Sequence, residues 1–554
     1  MINSSGISQK NKLACGNPFR AIGIAGAAAA FSIGLPSCHK AEEHPNIILI
    51  LVDDLGYGDV SCYNDQARLS TPNIDRLAET GMRFTDAHTS AAQCSPTRYG
   101  LLTGRYSWRT RLQVGVLPPF DEPLIEKDRV TLASLLKEQG YSTACIGKWH
   151  LGLGWQTLEG DTIDPRSWSA RQNLKIDYSK PLTTSPNDYG FDYYFGINAS
   201  NNMLPYCLIE NNRVVTVPER PKYPVFDTER GLGLVAEDYD SQKLENTLFR
   251  KAMAWLEKQR EEQPGKPFFL YYPMSAIHRP CLPDDPFIGK GEAGLKGGKI
   301  LETDHYVGQL MEWLGKEGLE DNTLFIFTSD NGGRPGDPKY ALRELAANTY
   351  GQKYAPQKWI EKDSMVCVNN PYEKPEGSES YHIYGHFSSA GLRGYKSDIY
   401  EGGHRVPFII RWPGVVKAGT VCDELVSTLD FLATLADLMD ADIPPDAGED
   451  SFSFLPLLLG EAKSPVRPNL VHKAWHADKL AIRKGNWKMI PFRDGGGLYQ
   501  FPEVEEEGQL YDLENDPSES VNLYERRPEI VEELTEELNK VKEGYYYENA
   551  VQVK

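Results

Sequence analysis

Polar residues that suit metal binding follow two apolar runs of this 554-residue chain. Asp53 and Asp54 come directly after NIILILV, and Asp330 and Asn331 come directly after TLFIFTS. Carboxylate and amide oxygens are hard ligands that suit Ca²⁺ or Mg²⁺. Taken singly, each pair is also an ordinary turn or helix-cap sequence.

Lysine and histidine follow two further runs. Lys148 and His150 come after YSTACIG, and His278 comes shortly after PFFLYY. Lysine suits an anion and histidine suits proton transfer, although a lone histidine is more often structural. Open α/β sheets bind ligands at the carboxyl ends of their strands, so we expect these groups to share one edge.

The sharpest local pattern is CSPTR at positions 94–98, followed by LTGR at 102–105. Pro96 fits the start of a helix, which places Cys94 just before a helix N-terminus, where the dipole favours an anion or a thiolate. Arg98 would project near the same end. The alternatives are a buried structural cysteine and a plain thiolate nucleophile, which usually needs a nearby base and no metal.

These motifs together resemble the formylglycine-dependent sulfatases, a branch of the alkaline phosphatase superfamily. The resemblance covers nearly all of the chain after its first 37 residues, through TPNIDRLAETG, GKWHLG, SAIHRP, TSDNGG, LRGYKSDIYEGGHRVP and LYDLENDPSE. It implies an alkaline phosphatase-like α/β sandwich that hydrolyses sulfate esters, similar to bacterial exported arylsulfatases and N-acetylgalactosamine-6-sulfatase-like carbohydrate sulfatases.

The resemblance also implies two cofactors. A formylglycine-generating or anaerobic sulfatase-maturating enzyme would oxidise Cys94 to formylglycine (3-oxoalanine). One divalent cation, most often calcium with magnesium as the alternative, would contact residue 94, a sulfate oxygen and four side chains: Asp53, Asp54, Asp330 and Asn331. A hydroxyl of the hydrated aldehyde would attack sulfur, and the resulting sulfated hemiacetal would eject sulfate.

The catalytic roles implied for the remaining side chains are proton transfer and charge neutralisation. His278, with Lys396 nearby, would protonate the leaving alcohol, and His150 would deprotonate the second hydroxyl. Arg98 would help the cation to lower the pKa of the attacking hydroxyl, while Lys148 and Lys396 would neutralise sulfate oxygens. Lys396 lies 65 positions after Asn331, so its assignment depends on the match LRGYKSDIYEGG.

The substrate expected from the family is a sulfated glycan of host or algal origin. Irregular segments at 154–193, 198–206 and 333–386 would wall a deep pocket, which favours a terminal sugar over the interior of a polymer. Galactose and N-acetylgalactosamine sulfates are preferred. The candidate sugar contacts, each equally explained by surface hydrogen bonding, are Asn201, Asn202, Arg279, His382 and His386.

The elements that must position these groups alternate between strand and helix. We predict strands at 46–52, 141–146, 267–272, 323–328 and 406–411, and helices at 72–80, 130–139, 241–260, 302–316 and 427–439. This alternation predicts a mostly parallel central sheet flanked by helices.

From about residue 464 the pattern changes to short strands at 480–484, 487–490 and 510–513, with a turn at Gly485-Asn486 between the first two, and a helix at 528–542. We therefore predict a catalytic domain at 46–462 and a smaller C-terminal α+β subdomain with a short antiparallel sheet at 463–554.

The N-terminal segment has the residue pattern of an export signal. Basic residues precede the apolar run 21–35, which is too short to span a membrane, and Leu35-Pro36-Ser37-Cys38 resembles a lipobox. This predicts a lipoprotein leader at 1–37, lipidation of Cys38, a linker at 38–45 and a location in the periplasm or at the cell surface, with the lipid as the sole membrane anchor. An ordinary secretory signal is the alternative, since Pro36 is unusual in a lipobox.

The charge balance of the chain limits the kinds of binding partner that we expect. Lys plus Arg number 59 and Asp plus Glu 78, a formal net charge of -19, which argues against nucleic acid. In such an acidic chain, a local pocket of cationic side chains favours binding of a small sulfated sugar at the end of a glycan. It disfavours binding of a long heparin-like chain along the protein surface. Oligomeric state is left open by the sequence.

Two other functions compete with sulfate ester hydrolysis. A phosphonate monoester or phosphodiester hydrolase of the same superfamily also uses formylglycine, and relative activity on aryl sulfate and aryl phosphonate separates the two. A non-catalytic glycan-binding lipoprotein predicts losses among the catalytic positions, whereas every mapped residue is present.

Overall fold

The computed structural model describes residues 44–222, 233–279, 281–334, 386–463, 465–498 and 501–544. The predicted leader, Cys38 and His382 lie outside these residues. Within them no helix is long and apolar enough to cross a membrane. The boundary predicted at residue 463 stays a prediction.

The strands, numbered along the described residues, are β1 (Asn46–Val52), β2 (Met82–Phe84), β3 (Ala87–His88), β4 (Ser142–Lys148), β5 (Tyr193–Ile197), β6 (Ile209–Glu210), β7 (Arg213–Val214), β8 (Arg220–Lys222), β9 (Gly233–Val235), β10 (Phe268–Pro273), β11 (Thr323–Ser329), β12 (Phe408–Arg411), β13 (Thr420–Cys422), β14 (Val426–Ser427), β15 (Leu470–Lys473), β16 (Leu480–Lys484), β17 (Trp487–Ile490) and β18 (Gln509–Asp512).

The helices, numbered in the same way, are α1 (Pro72–Glu79), α2 (Cys94–Thr103), α3 (Leu132–Glu138), α4 (Leu244–Glu262), α5 (Gly294–Glu317), α6 (Glu401–His404), α7 (Phe431–Leu438), α8 (Leu455–Leu458) and α9 (Pro528–Glu543). α5 begins eight residues before the predicted start because its first turns contain GLKGGK, which hides the helical period. The glycines fit the packing there: a Cβ on Gly298 would lie 2.5 Å from Phe287 O.

The central sheet has ten strands in the order β13-β2-β12-β11-β1-β10-β4-β5-β6-β7. Its middle, from β11 to β5, is parallel, as the alternation of strands and helices predicts. β12 instead runs antiparallel to β11. Gly332, just after β11, donates its N–H to Gly403 O at 2.8 Å, so the chain enters β12 from the carboxyl edge and must run back.

Both faces of the sheet are buried, as the unbroken apolar run of β1 predicts. Ile47, Leu49 and Leu51 join a core with α2, α3 and α7. The alternate residues of β1 face the other core, which is shared with α1, α4 and α5. The two helical layers hold the sheet rigidly and leave its carboxyl edge to the loops.

A separate four-stranded antiparallel sheet, in the order β15-β16-β17-β18, forms near the C-terminus. Leu534, Leu538 and Val541 of α9 pack against one face of it. The predicted turn at Gly485-Asn486 joins β16 to β17, and Gly485 has φ +55°, which suits a two-residue hairpin turn. β15 was not predicted from the sequence.

Candidate active site

Four oxygen-bearing side chains meet at the carboxyl edge of the central sheet. β1 and β11 are paired through Val52 and Ser329, so the residues that follow the two strands lie side by side. Asp330 N donates to Val52 O at 3.0 Å, and Asp54 N donates to Asp330 Oδ1 at 3.2 Å. The pairing therefore brings together the four buried residues that were predicted as metal ligands: Asp53, Asp54, Asp330 and Asn331.

Two residues at this edge have left-handed backbone conformations. Asp54 has φ +64° and His150 has φ +57°. This conformation costs a non-glycine residue about 1–2 kcal/mol, and such residues cluster at functional sites. His150 is held in place because its N–H donates to Asn198 O at 2.8 Å.

Helix α2 carries Cys94 and Arg98 to the same edge. The helix begins at Cys94 itself, two residues before the start predicted at Pro96, which lies inside the first turn. Cys94 Sγ lies 3.4 Å from Asp53 Oδ1. Arg98, one turn later on the same side, donates to Asp330 Oδ2 at 2.8 and 3.0 Å and to Lys148 O at 2.9 Å.

Two buried lysines contact the acidic residues from different elements. Lys148, the last residue of β4, places Nζ 2.6 Å from Asp53 Oδ2. Lys396 comes from the segment after residue 386, pairs with Asp54 Oδ1 and places Nζ 3.1 Å from Cys94 Sγ. The attraction to an ammonium partner offsets part of the desolvation penalty of each buried carboxylate.

The two histidines are fixed through one ring nitrogen each. His150 Nε2 lies 3.1 Å from Leu117 O, and its buried Nδ1 has no hydrogen-bond partner. His278 Nδ1 lies 2.9 Å from Arg279 O, and its Nε2 lies 3.8 Å from Asp54 Oδ2. A nitrogen that faces a carbonyl must carry the proton, so the neutral rings expose lone pairs at His150 Nδ1 and His278 Nε2.

The charges of the site act on one another strongly. Burial and the Asp330 carboxylate raise the pKa of Asp53 to about 7, against the pull of Lys148. Burial disfavours ionised Asp54, but the Lys396 ammonium, other nearby positive charge and a hydrogen bond from Asn331 together outweigh burial and hold the pKa of Asp54 well below its usual range. Burial, reinforced by Lys148, holds the pKa of His150 well below its ordinary value.

The thiol of Cys94 is not set up as a thiolate. Burial, followed by the negative charges of Asp330 and Asp53, raises the pKa of Cys94 to about 12. These neighbours outweigh the dipole of α2, which would favour the anion. A plain thiolate nucleophile is therefore a poor fit to this residue.

The residues present fit a hard divalent cation. One ligand atom from each of Asp53, Asp54, Cys94 and His278 lies within 4.8 Å of the others. Asp54 Oδ2 and Asn331 Oδ1 are buried without any hydrogen-bond partner. Orphaned buried oxygens are costly unless something binds them, and an oxygen-seeking cation such as Ca²⁺ would.

A cavity of about 360 Å³ opens over Cys94. His150, His278 and Lys396 form part of its polar lining, together with Arg279 and Arg334. Its apolar lining, which the sequence analysis missed, comes from Val116, Trp168, Met203, Trp475 and Leu498. These residues belong to loops with no motif, and the two tryptophans in such loops offered only a weak signal.

The predicted sugar contacts separate into two groups. Asn202 and Arg279 line the cavity. Asn201 is not among the lining residues: its side chain accepts from Tyr239 Oη at 2.7 Å and donates to Ser241 O at 2.9 Å. His386 also lies elsewhere, with Nε2 2.8 Å from Asp59 Oδ1. Both are held in internal hydrogen bonds.

Comparison with protein families matches this chain over residues 45–441 to the model described as Sulfatase. The chain belongs to the sulfatase family. A second family model, described as the C-terminal part of N-sulphoglucosamine sulphohydrolase, matches this sulfatase over residues 395–544. The two matches together span both sheets, so the fold and the enzyme class agree: this sulfatase is a sulfuric ester hydrolase.

Among curated relatives, this sulfatase is 34% identical over 539 residues to an N-acetylgalactosamine-6-O-sulfatase of Bacteroides thetaiotaomicron, covering 90% of this chain and 93% of the relative. It is 32% identical over 523 residues to human arylsulfatase A, covering 90% and 87%. A solved 6S-sulfatase structure, concerned with metabolism of multiple glycosaminoglycans by Bacteroides thetaiotaomicron, superposes with a TM-score of 0.72 at 32% identity, covering 90% of this chain and 99% of that one.

Proposed function

We propose that this sulfatase removes sulfate from a terminal sugar of a sulfated glycan, with N-acetylgalactosamine or galactose as the preferred sugar. The observation that carries the proposal is the cavity, which has a floor formed by Cys94, the buried Lys396 and the two histidines, and walls that include apolar side chains. Similarity to an N-acetylgalactosamine-6-O-sulfatase over 90% of the chain supports the choice of sugar.

The proposed chemistry assigns two groups to the floor of the cavity. Calcium held by Asp53, Asp54, Asp330 and Asn331 would supply positive charge for a sulfate oxygen. Formylglycine at position 94 would supply a hydrated aldehyde as the nucleophile. The orphaned oxygens of Asp54 and Asn331 support the cation, and the raised pKa of the Cys94 thiol supports a need for modification.

The protein's own side chains bind the sulfate group and move protons. Lys148 and Lys396 have buried ammonium groups that would neutralise charge as the ester bond breaks. Arg98 is locked by Asp330 and Lys148 O, so it holds the start of α2 against the carboxylates. A preorganised charge of this kind stabilises the transition state without reorganisation.

The two histidines divide the proton transfers. His278 Nε2 faces the cavity side, since Nδ1 is held by Arg279 O, and its lone pair would take up the proton that the attacking hydroxyl loses and pass it to the leaving alcohol. His150 is neutral and keeps an unpartnered lone pair at Nδ1, which suits it to accept a proton from residue 94.

The test uses protein shown by mass spectrometry to carry formylglycine at position 94. We expect it to release sulfate, measured by ion chromatography, from 4- or 6-sulfated N-acetylgalactosamine or galactose. Activity on aryl sulfate should exceed that on aryl phosphonate by orders of magnitude. The opposite preference would replace this proposal with a phosphonate hydrolase.

A Cys94→Ala variant should lose at least about 10⁴-fold in kcat/KM, as enzymes do when the nucleophile is removed. The matched control is Cys422→Ser, because Cys422 lies partly exposed on the edge strand β13. Unchanged glycan turnover by Cys94→Ala would refute the nucleophile assigned here.

The proposal also includes how residue 94 is modified and where the protein is located. A formylglycine-generating or anaerobic sulfatase-maturating enzyme would act on CSPTR before the chain folds, since Cys94 is buried in the folded protein. Export to the periplasm or cell surface, with a lipid on Cys38, follows from the leader sequence. Mass spectrometry of the N-terminal peptide, with Cys38→Ser as control, tests the lipid.

A further inference from the structure

The wall of the cavity over Cys94 is partly built by the C-terminal sheet. Trp475 and Leu498 line it, and they come from the segments after β15 and β17. The catalytic groups instead come from the carboxyl edge of the ten-stranded sheet. The pocket is therefore shared by two sheets, one supplying the charged floor and the other supplying apolar wall.

Backbone hydrogen bonds join β15 to the segment that precedes Cys94. Lys473 N donates to Ser90 O, and Ala92 N donates to Lys473 O, both at 3.0 Å. Two residues later the chain reaches Trp475. This register ties the position of the tryptophan to that of residue 94, so the distance between wall and floor is set by main-chain geometry.

The main chain of Trp475 is hydrogen-bonded to a loop of the catalytic part and to Gly496, and its indole packs against that loop at Gly115. Gly115 N donates to Trp475 O at 2.7 Å, and Trp475 N donates to Gly496 O at 3.1 Å. A Cβ on Gly115 would lie 2.7 Å from Cζ2 of the indole, and Gly115 has φ +59°. The next residue, Val116, lines the cavity beside the ring. Glycine is thus required where the ring approaches the backbone.

The floor of the cavity around residue 94 and the apolar wall beside it differ in the chemical groups that they can bind. The floor, with Lys396 and His278, suits the sulfate group. The wall of Val116, Trp475 and Leu498 offers no charge, so it suits the carbon-bearing face of a pyranose ring. Aromatic side chains bury large apolar areas and are well suited to such flat faces. A carboxylate pressed against this wall would lose its hydration without gaining a partner.

We infer that Trp475 is a specificity-determining residue that binds the apolar face of the sulfated terminal sugar, with Leu498 extending this surface to the rim. The inference rests on the proposed function and adds the wall that selects the sugar. It assigns the C-terminal sheet a direct role in substrate binding.

The experiment compares Trp475→Ala and Leu498→Ala with a control, Leu459→Ala. Leu459 is exposed like Leu498 but is not among the residues that line the cavity. For each formylglycine-loaded variant, KM and kcat for the sulfated sugar and the inhibition constant of inorganic sulfate are measured. Because inorganic sulfate has no sugar ring, its inhibition constant reports binding at the floor of the cavity alone.

We expect Trp475→Ala to raise KM about tenfold, which corresponds to about 1.4 kcal/mol. Leu498→Ala should raise KM by about two- to threefold because it loses a smaller apolar contact. Inhibition by inorganic sulfate should stay within twofold of wild type in both variants, and Leu459→Ala should match wild type throughout.

An unchanged KM in Trp475→Ala, or a parallel loss of sulfate inhibition, would overturn the inference. If Trp475→Ala does not fold, Leu498→Ala decides: a twofold rise in KM supports the wall and an unchanged KM overturns it. Wild-type enzyme that releases no sulfate from any sugar would instead refute the proposed function itself.

Discussion

Among the residues that the structure describes, two buried clusters combine acids with histidines, and one of these two has the features of a catalytic centre. The first surrounds Cys94 at the sheet edge. The second lies where the C-terminal sheet packs on the catalytic part, and its ligand-type residues are His88, His404 and His472 with Asp86 and Glu401. Ligand atoms of the first cluster lie within 4.8 Å of one another, and the second cluster contains two such groups of three residues that share His88.

The second cluster is an internal polar network. Arg483 pairs with Asp86 at 2.7 Å, and Lys488 pairs with Glu401 at 3.0 Å. His404 and His472 are stacked, with centroids 3.7 Å apart and planes 12° apart. A metal binds a histidine nitrogen in the plane of the ring, so two stacked rings do not converge on one ion.

The comparison teaches that proximity of ligand atoms does not make a metal site. In the catalytic cluster, Asp54 Oδ2 and Asn331 Oδ1 lack partners and a cavity reaches Cys94. In the second cluster, cations already neutralise the acids, and they would repel a metal ion. The predictions below use matched changes in the two clusters.

The largest effect is expected from Lys488→Met, which leaves Glu401 and Glu519 buried without the ammonium that contacts both. Breaking a buried pair in this way costs about 3–5 kcal/mol of unfolding free energy. Urea denaturation measures the loss, and kcat per folded molecule should stay within about twofold of wild type. A selective loss of kcat would give this cluster a catalytic role.

The same substitution in the catalytic cluster should have the converse result. Lys396→Met should lower kcat/KM by about 10²–10³-fold, because one preorganised charge next to residue 94 is lost. The assay uses saturating calcium, so that Asp54 keeps a cationic partner. A loss below tenfold would remove Lys396 from the catalytic group.

Calcium should stabilise the protein through the first cluster alone. At 100 times its Kd, calcium should raise the free energy of unfolding by about 2.7 kcal/mol relative to protein in chelator. Asn331→Leu should abolish the shift, whereas Asp86→Asn should retain it while lowering stability overall. Loss of the shift in Asp86→Asn would reverse the assignment of the two clusters.

The smallest effect concerns acid stability. Burial, with repulsion from His88 and Lys488, holds the pKa of His472 well below its ordinary value. Below about pH 6.5 the unfolded chain therefore binds a proton that the folded ring does not, and stability falls as pH falls towards the folded pKa.

Between pH 6.5 and 5.5, wild type should lose about 1 kcal/mol more than His472→Gln, measured by urea denaturation at each pH. His305→Gln, at an exposed position of α5, is the control and should keep the wild-type pH dependence. Equal slopes in wild type and His472→Gln would show that this histidine does not contribute to acid sensitivity.

Much of the fold was predictable because its signals are local. The apolar run of β1 and the turn Gly485-Asn486 depend on residues close in sequence, and both elements form as predicted. The prediction of a mostly parallel sheet was confirmed, but the antiparallel direction of β12 could not be predicted, because it depends on the path between residues 332 and 403, which carries no strand or helix signal.

The candidate site, like the fold, was predictable from the sequence only in part. CSPTR and the acidic pairs are recognisable motifs, and the structure brings their side chains to one edge. The positions of Asn201 and His386 away from the cavity could not be predicted, since a loop amide or imidazole has the same local pattern whether it faces substrate or a neighbouring side chain.

The sequence by itself determined which segments are strands and helices, the sulfatase motifs and the acidic balance, because hydrophobic period, turn chemistry and charge are properties of neighbouring residues. Only the tertiary structure decided that Trp475 lines the cavity over Cys94 and which buried cluster leaves oxygens unpaired. Those outcomes depend on contacts between residues hundreds of positions apart, and no local pattern specifies them.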